Sequence, residues 1–345
     1  VDVVSWRLED VVDLIRGPKN TTVRLRVLPG KSPVGSPTKV VALVRDKINL
    51  EEQAARSSKV EIEVGGARRT VGVIDVPTFY LDAAGRIQGL PDYRSTTRDV
   101  RRLIQELEAD GVAGIIIDLR GNSGGSLLEA NALTGLFIES GPIVQIKDSA
   151  GRVEITQDSD PGIAYNGPLA VLVDRGSASA SEIFAAAIQD YRRGVVLGEP
   201  TYGKGTVQNV VSLDRKGKLG QLKVTIAQFF RVNGEGTQHR GVIPNIVFPT
   251  AANSESQGER GLKNALPWDQ IGPAEYSRWE SGTSSYAAAA GRHQSRVQND
   301  ARFKLLLDEL ESRRAQQKQI ALSLIETKRK QDWDKREIER DAIPS

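Results

Sequence analysis

At 345 residues the chain is long enough for two or three domains, and its 47 Lys and Arg against 44 Asp and Glu leave a net charge of +3, interspersed along the chain, which gives nucleic-acid binding little support. The absence of cysteine excludes disulfides, thiolate catalysis and cysteine-based metal sites, and leaves oxidising and reducing compartments equally open. The main apolar stretches, such as Val112 to Ile117 and Leu169 to Val173, are strand-length, so the chain is expected to be soluble and not to span a membrane. No basic-then-apolar leader is readable at Val1.

Residues 1–46 read as a helix followed by strands. Leu8, Val11, Val12 and Ile15 recur at helical spacing, and Gly17-Pro18 stops the helix. Thr21 to Leu28 and Lys39 to Val44 then read as paired strands across a Gly/Ser/Pro-rich loop.

Residues 47–250 alternate strands and helices, which predicts an α/β core. Thr70 to Val76 is a strand. Ser95 to Asp110 is an amphipathic helix with Val100, Leu103, Ile104 and Leu107 on one face, ended by Gly111 and followed by a buried strand at Ala113 to Leu119. After the glycine turn Gly121-Asn-Ser-Gly-Gly125 come a helix at Ser126 to Phe137 and strands at Ile143 to Lys147 and Leu169 to Asp174. The helix Ser179 to Tyr191 and the strands Val195 to Glu199 and Leu222 to Phe230 complete the core. Residues 251–345 turn polar and then helical from about Val297 to Arg340. Phe303, Leu306, Leu307 and Leu310 form one apolar stripe there, which reads as a helical appendage packed on the core.

The chain has two histidines, His239 and His293, and no spaced metal-ligand pattern, so no metal centre is expected. Three serine contexts compete as nucleophile. Gly121-Asn-Ser123-Gly-Gly125 fits G-x-S-x-G between strand and helix, and the hydrolase order permits His239 as its base; otherwise it is a glycine turn whose N–H groups can hold an oxyanion. Ser36-Pro-Thr-Lys39 is formally S-x-x-K, but Gly35 and Pro37 make it a loop.

The third context, Gly176-Ser-Ala-Ser179-Ala-Ser-Glu-Ile183, lies between an apolar strand and a helix N-terminus, where a serine is either an N-cap or an exposed nucleophile. Farther on, Lys204 stands between glycines in Gly198-Glu-Pro-Thr-Tyr-Gly-Lys-Gly-Thr-Val-Gln208. A lysine serves as general base only when neutral, which requires burial to depress its pKa. The phosphate-loop pattern fails at this lysine, since no Ser or Thr follows it.

Taken in order, Asp118-Leu-Arg-Gly-Asn-Ser-Gly-Gly125, Val173-Asp-Arg-Gly-Ser-Ala-Ser-Ala-Ser-Glu-Ile183 and the Lys204 segment resemble the carboxyl-terminal processing peptidases, in particular the tail-specific proteases of the Gram-negative envelope. Phe230-Arg-Val-Asn-Gly234, Gly241 to Phe248 and Ala265-Leu-Pro-Trp268 continue the likeness. The resemblance implies a mixed-sheet serine peptidase core of the crotonase/ClpP-like type at 47–250, the carboxyl-terminal part of a PDZ domain at 1–46 and a helical carboxyl-terminal region. It makes Ser179 the nucleophile, Lys204 its general base and Gln208 a residue that orients the lysine. The oxyanion falls to the N–H groups of Ala180 and of Gly124 or Gly125, with Thr201 and Glu182 in support; Ser123 becomes scaffold and Asp190 structural.

It further implies polypeptide substrates with unstructured, apolar carboxyl termini, a possible envelope adaptor, no cofactor and a periplasmic location. The PDZ carboxylate-binding loop is expected upstream of Val1. Two alternatives stay open: an α/β-hydrolase esterase using Ser123 and His239, and a PDZ scaffold that binds without cutting.

Overall fold

The computed structural model describes residues 3, 8–28, 37–46, 54–158, 162–214, 219–250, 258–279, 283–317 and 325–341. Ser36 of the S-x-x-K candidate, and most of the loop before it, lie outside these. The chain divides into two compact units, Val1–Glu52 and Gln53–Ser345.

In the first unit the expected helix is α1, Leu8–Ile15, and the expected strands are β1, Thr22–Val27, and β2, Lys39–Val44. The strands pair antiparallel from Thr22 opposite Val44 to Val27 opposite Lys39. Arg45 closes the end of the helix: its Nε donates to the Ile15 carbonyl at 2.6 Å and its Nη1 to Thr21 Oγ1 at 2.9 Å, which satisfies a helix-terminal carbonyl without water.

The second unit begins with the hairpin β3, Arg56–Val64, and β4, Ala67–Asp75. β3 has no counterpart in the sequence reading. It is exposed throughout, so no buried face marks it, although Val60, Ile62 and Val64 alternate with charged residues before Gly65-Gly66. There follow α2, Ala83–Ile87; α3, Thr96–Ala109; β5, Ile115–Asp118; α4, Leu127–Thr134; β6, Gly141–Asp148; β7, Val153–Asp158; β8, Leu169–Val173; α5, Ala180–Asp190; β9, Val195–Gly198; β10, Thr206–Ser212; β11, Gln221–Phe230; and β12, Ile246–Val247.

Among the described residues six strands form a mixed sheet in the order β12-β9-β8-β5-β4-β3, parallel except for β3, and four form an antiparallel sheet in the order β10-β11-β6-β7. The fold is therefore the expected mixed α/β type. α3 forms as its apolar stripe dictates: Val100, Leu103, Ile104 and Leu107 are all buried and Ser95 caps its start. α5 carries Ile183, Phe184, Ile188 and a run of three alanines into the core. It packs on β9 of one sheet, on β6 of the other, and against α4. A helix buried on nearly all sides is a rigid mount for whatever stands at its N-terminus.

The carboxyl-terminal helices are α6, Thr283–Asn299; α7, Ala301–Gln317; and α8, Glu326–Asp341. Helix starts earlier than expected, because Ala287 to Ala290 are strong helix formers inside a stretch whose Gly and Ser content reads as linker. His293 is buried and stacks against Phe248 and Phe303, with ring centroids 5.1 and 5.7 Å away. Leu310 of the apolar stripe is buried, whereas Leu307 faces solvent.

Candidate active site

Ser179 stands between β8 and α5 with φ 57° and ψ −112°, a left-handed conformation that costs a non-glycine residue on the order of 1–3 kcal/mol. The surrounding hydrogen bonds hold it there. Asp174 Oδ1 accepts the N–H groups of Gly176 at 2.8 Å and Ser177 at 3.1 Å, and that of Gly121 in the glycine turn at 2.8 Å. Ser177 Oγ donates to the Leu119 carbonyl at 2.7 Å and Ser181 Oγ to the Asn122 carbonyl at 2.9 Å. The serines flanking Ser179 thus lock its turn to the glycine turn.

The two turns touch where Gly124 meets Ser179. A Cβ on Gly124 would lie 2.9 Å from Ser179 Cβ and 3.1 Å from the Ala180 nitrogen, so a side chain there would crowd the Ser179 turn. Gly125 is likewise fixed, by the Phe79 carbonyl, with which an added Cβ would collide. The two glycines differ in their donors. Gly124 N–H is committed to Asn122 Oδ1 at 2.9 Å, which corrects the expectation that either glycine could serve an oxyanion. Gly125 N–H and Ala180 N–H have no acceptor among the described residues, and both residues line the same cleft as Ser179.

That cleft has a volume of about 440 Å³ and is lined by Ser123, Gly125, Ser179, Ala180, Lys204, Gln208 and Lys223, among others. Lys204 comes from the segment between β9 and β10, and one buried carboxylate joins that segment to α5. Glu182 Oε2 accepts the Ser179 N–H at 2.8 Å and the Lys204 N–H at 2.9 Å; Oε1 accepts the Thr201 hydroxyl at 2.6 Å and the Gly203 N–H at 2.7 Å. Burial holds the Glu182 carboxyl up at about 7, against the lowering effect of these four donors. Thr201 Oγ1 in turn accepts the Val242 N–H at 2.7 Å.

Burial lowers the Lys204 pKa, and the nearby charge of Lys223 lowers it further; Glu259 and Glu182 oppose the shift. Lys223 on β11 was not found in the sequence, where it is one cation among many. The same holds for buried Gln238, whose Oε1 accepts the Gly205 N–H at 2.8 Å. Gln208 enters the cleft but makes no hydrogen bond to Lys204 among the described residues. His239 does not line the cleft; it sits behind the lysine segment, its N–H donating to the Gly203 carbonyl at 2.8 Å. Ser123 therefore has no histidine within its cleft. Asp190, at the far end of α5, is half of a buried ion pair with Arg231.

Residues 70–248 match the family described as Peptidase family S41, and residues 253–343 match the C-terminal domain of tail specific protease. The chain is 41% identical to the Tail-specific protease of Haemophilus influenzae, over 98% of this chain and 47% of that protein. It is 33% identical to the chloroplastic Carboxyl-terminal-processing peptidase 2 of Arabidopsis thaliana, over 70% of this chain and 42% of that one. The chain spans about half the length of the curated relatives it matches. A solved structure described as photosystem II D1 C-terminal processing protease superposes with a TM-score of 0.51 at 30% identity, covering 70% of this chain and 59% of that one. No helix among the described residues is long and apolar enough to cross a membrane.

Proposed function

The chain belongs to peptidase family S41, and on that premise we propose that it is a serine endopeptidase in which Ser179 is the nucleophile and Lys204 the general base. The observation that carries this reading is the shared cleft. Ser179, Lys204 and the two unengaged N–H groups of Ala180 and Gly125 line one cavity, and Glu182 ties the serine turn to the lysine segment.

In the first half-reaction Ser179 Oγ attacks the scissile carbonyl carbon while its proton passes to neutral Lys204 Nζ. The carbonyl oxygen, now negative, is held by the Ala180 and Gly125 N–H groups. Collapse breaks the C–N bond, and the lysine returns the proton to the leaving amine. In the second half-reaction water attacks the acyl ester, losing its proton to Lys204; collapse breaks the C–Oγ bond, and the lysine returns the proton to Ser179 Oγ as the carboxylic acid is released. Burial and the charge of Lys223 favour the neutral amine that both steps need. Gln208, which lines the same cleft from β10, is the residue we assign to orienting the lysine.

The substrates we assign are envelope proteins with unstructured, apolar carboxyl termini, met in the periplasm with or without an adaptor. The unit of α1, β1 and β2 is read as the second half of a PDZ domain, in which a substrate's end adds as a strand beside the helix. Cleavage of casein by the chain should vanish in Ser179→Ala and in Lys204→Ala and persist in His239→Ala. Loss in His239→Ala together with survival in Lys204→Ala would replace the reading by the esterase one.

A further inference from the structure

Among the described residues the cleft opens onto a strand edge that lacks the usual protection. Sheet ends expose unpaired N–H and C=O groups and are normally blunted by charge, proline or brevity. Of the four end strands among the described residues of the second unit, three follow that rule. β3 carries Arg56, Lys59, Glu61 and Glu63, β7 carries Glu154 and Asp158, and β12 is two residues long. The fourth, β10, is seven residues long, Thr-Val-Gln-Asn-Val-Val-Ser, with no charge and no proline.

Its position gives the open edge a use. Thr206, Val207 and Gln208, the first residues of β10, line the cleft with Ser179, and opposite Val207 and Gln208 the pairing has a bulge whose extra residue, Ile226, belongs to β11. Beyond the bulge the strand runs out into solvent, with Val210 and Val211 53% and 48% exposed, one on each face. The Val210 N–H donates to its neighbour's side chain, Asn209 Oδ1, at 2.9 Å, a local stopgap that an incoming carbonyl could replace.

We propose that the free edge of β10 receives the substrate polypeptide as an added strand and leads it to Ser179. The assignment rests on the serine-peptidase reading. Its occupant is an extended peptide backbone, because only a main chain matches the alternating donors and acceptors of the edge, and because the strand's inner end lies at the reacting groups. Val210 and Val211 then favour apolar side chains on the added strand.

The test is a scan of a cleavable peptide of about ten residues in which each backbone nitrogen away from the scissile bond is methylated in turn. Edge pairing uses every second residue, so KM should rise about three- to tenfold at alternate positions and stay unchanged between them. Val210→Pro removes one edge donor, hence one bond to a substrate carbonyl, and should by itself raise KM for the unmethylated peptide about three- to tenfold; should that variant not fold, the scan on the unaltered chain still decides. A uniform or absent response to methylation overturns the assignment. So does concentration-dependent self-association of the chain that Val210→Pro abolishes, which would make the occupant a second copy. Labelling of Ser179 by a small fluorophosphonate separates the two ideas. Labelling without alternation sinks the edge alone, whereas no labelling sinks the peptidase reading beneath it.

Discussion

Glu182 Oε2 accepts the backbone N–H of Ser179 at 2.8 Å and, through the same oxygen, that of Lys204 at 2.9 Å, so the two residues proposed to react hang from one carboxylate. Glu182→Gln keeps the shape but replaces one acceptor oxygen by an NH₂ group. Either the pair on Oε2 or the pair formed by Thr201 and Gly203 on Oε1 would then face a donor. Each lost charge-assisted bond is worth about 1.5–3 kcal/mol, so kcat should fall about 10- to 100-fold or more while the circular dichroism spectrum is kept. Unchanged kcat would show that the carboxylate does not position the site.

Activity should be lost as the medium acidifies, because protonated Lys204 cannot accept the serine proton. The groups facing Lys204 are Lys223 on β11, Glu182 on α5 and Glu259 beyond β12. Lys223 lowers the lysine pKa, so Lys223→Gln lets it rise, and the acid limb of the kcat/KM profile should move to higher pH. Lys223→Arg retains the charge and should leave the limb in place. A limb that stays put in both variants would show that Lys204 does not set it.

Gly124→Ala should cripple turnover without unfolding the core. Its Cβ would stand 2.8 Å from the Ala178 carbonyl oxygen and 2.9 Å from Ser179 Cβ, and φ +104° is unsuited to alanine. Misplacement of a reacting group by about 1 Å can cost about 100-fold. That loss in peptide cleavage, with melting temperature lowered only a few degrees, is the expected result.

Asp190→Ala should act on stability instead. Asp190 and Arg231 form a buried pair 2.5 Å apart, and removing Asp190 leaves the Arg231 charge with only Gln189 Oε1 at 2.8 Å and Glu235 at 3.9 Å, at a cost of about 3 kcal/mol, the low end for a broken buried pair. Denaturant unfolding should show that loss, while kcat per folded molecule stays near that of the unaltered chain at low temperature.

These residues differ in how far the sequence announces them. α3 is readable from the stripe of Val100, Leu103, Ile104 and Leu107, because one-sided burial imposes a period. β3 and β10 escape for the converse reason: both are mostly exposed, so packing leaves no pattern in them. Glycine settings and the scarcity of histidine make Ser179 and Lys204 candidates, and the resemblance to the carboxyl-terminal processing peptidases is what singles them out. The convergence of Ser179, Thr201, Gly203 and Lys204 on Glu182, by contrast, is a tertiary fact. So is the approach of Lys223 from β11, and nothing local in the chain marks either. The choice between Gly124 and Gly125 likewise depends on which way each N–H points.

The central claim, that Lys204 activates Ser179, is tested most directly by intact-protein mass spectrometry after reaction with a fluorophosphonate, with the adduct mapped to its residue. One adduct is expected on Ser179 in the unaltered chain, none in Ser179→Ala, and a reaction in Lys204→Ala slowed by orders of magnitude. An adduct on Ser123, or full-rate labelling of Ser179 without Lys204, would contradict it.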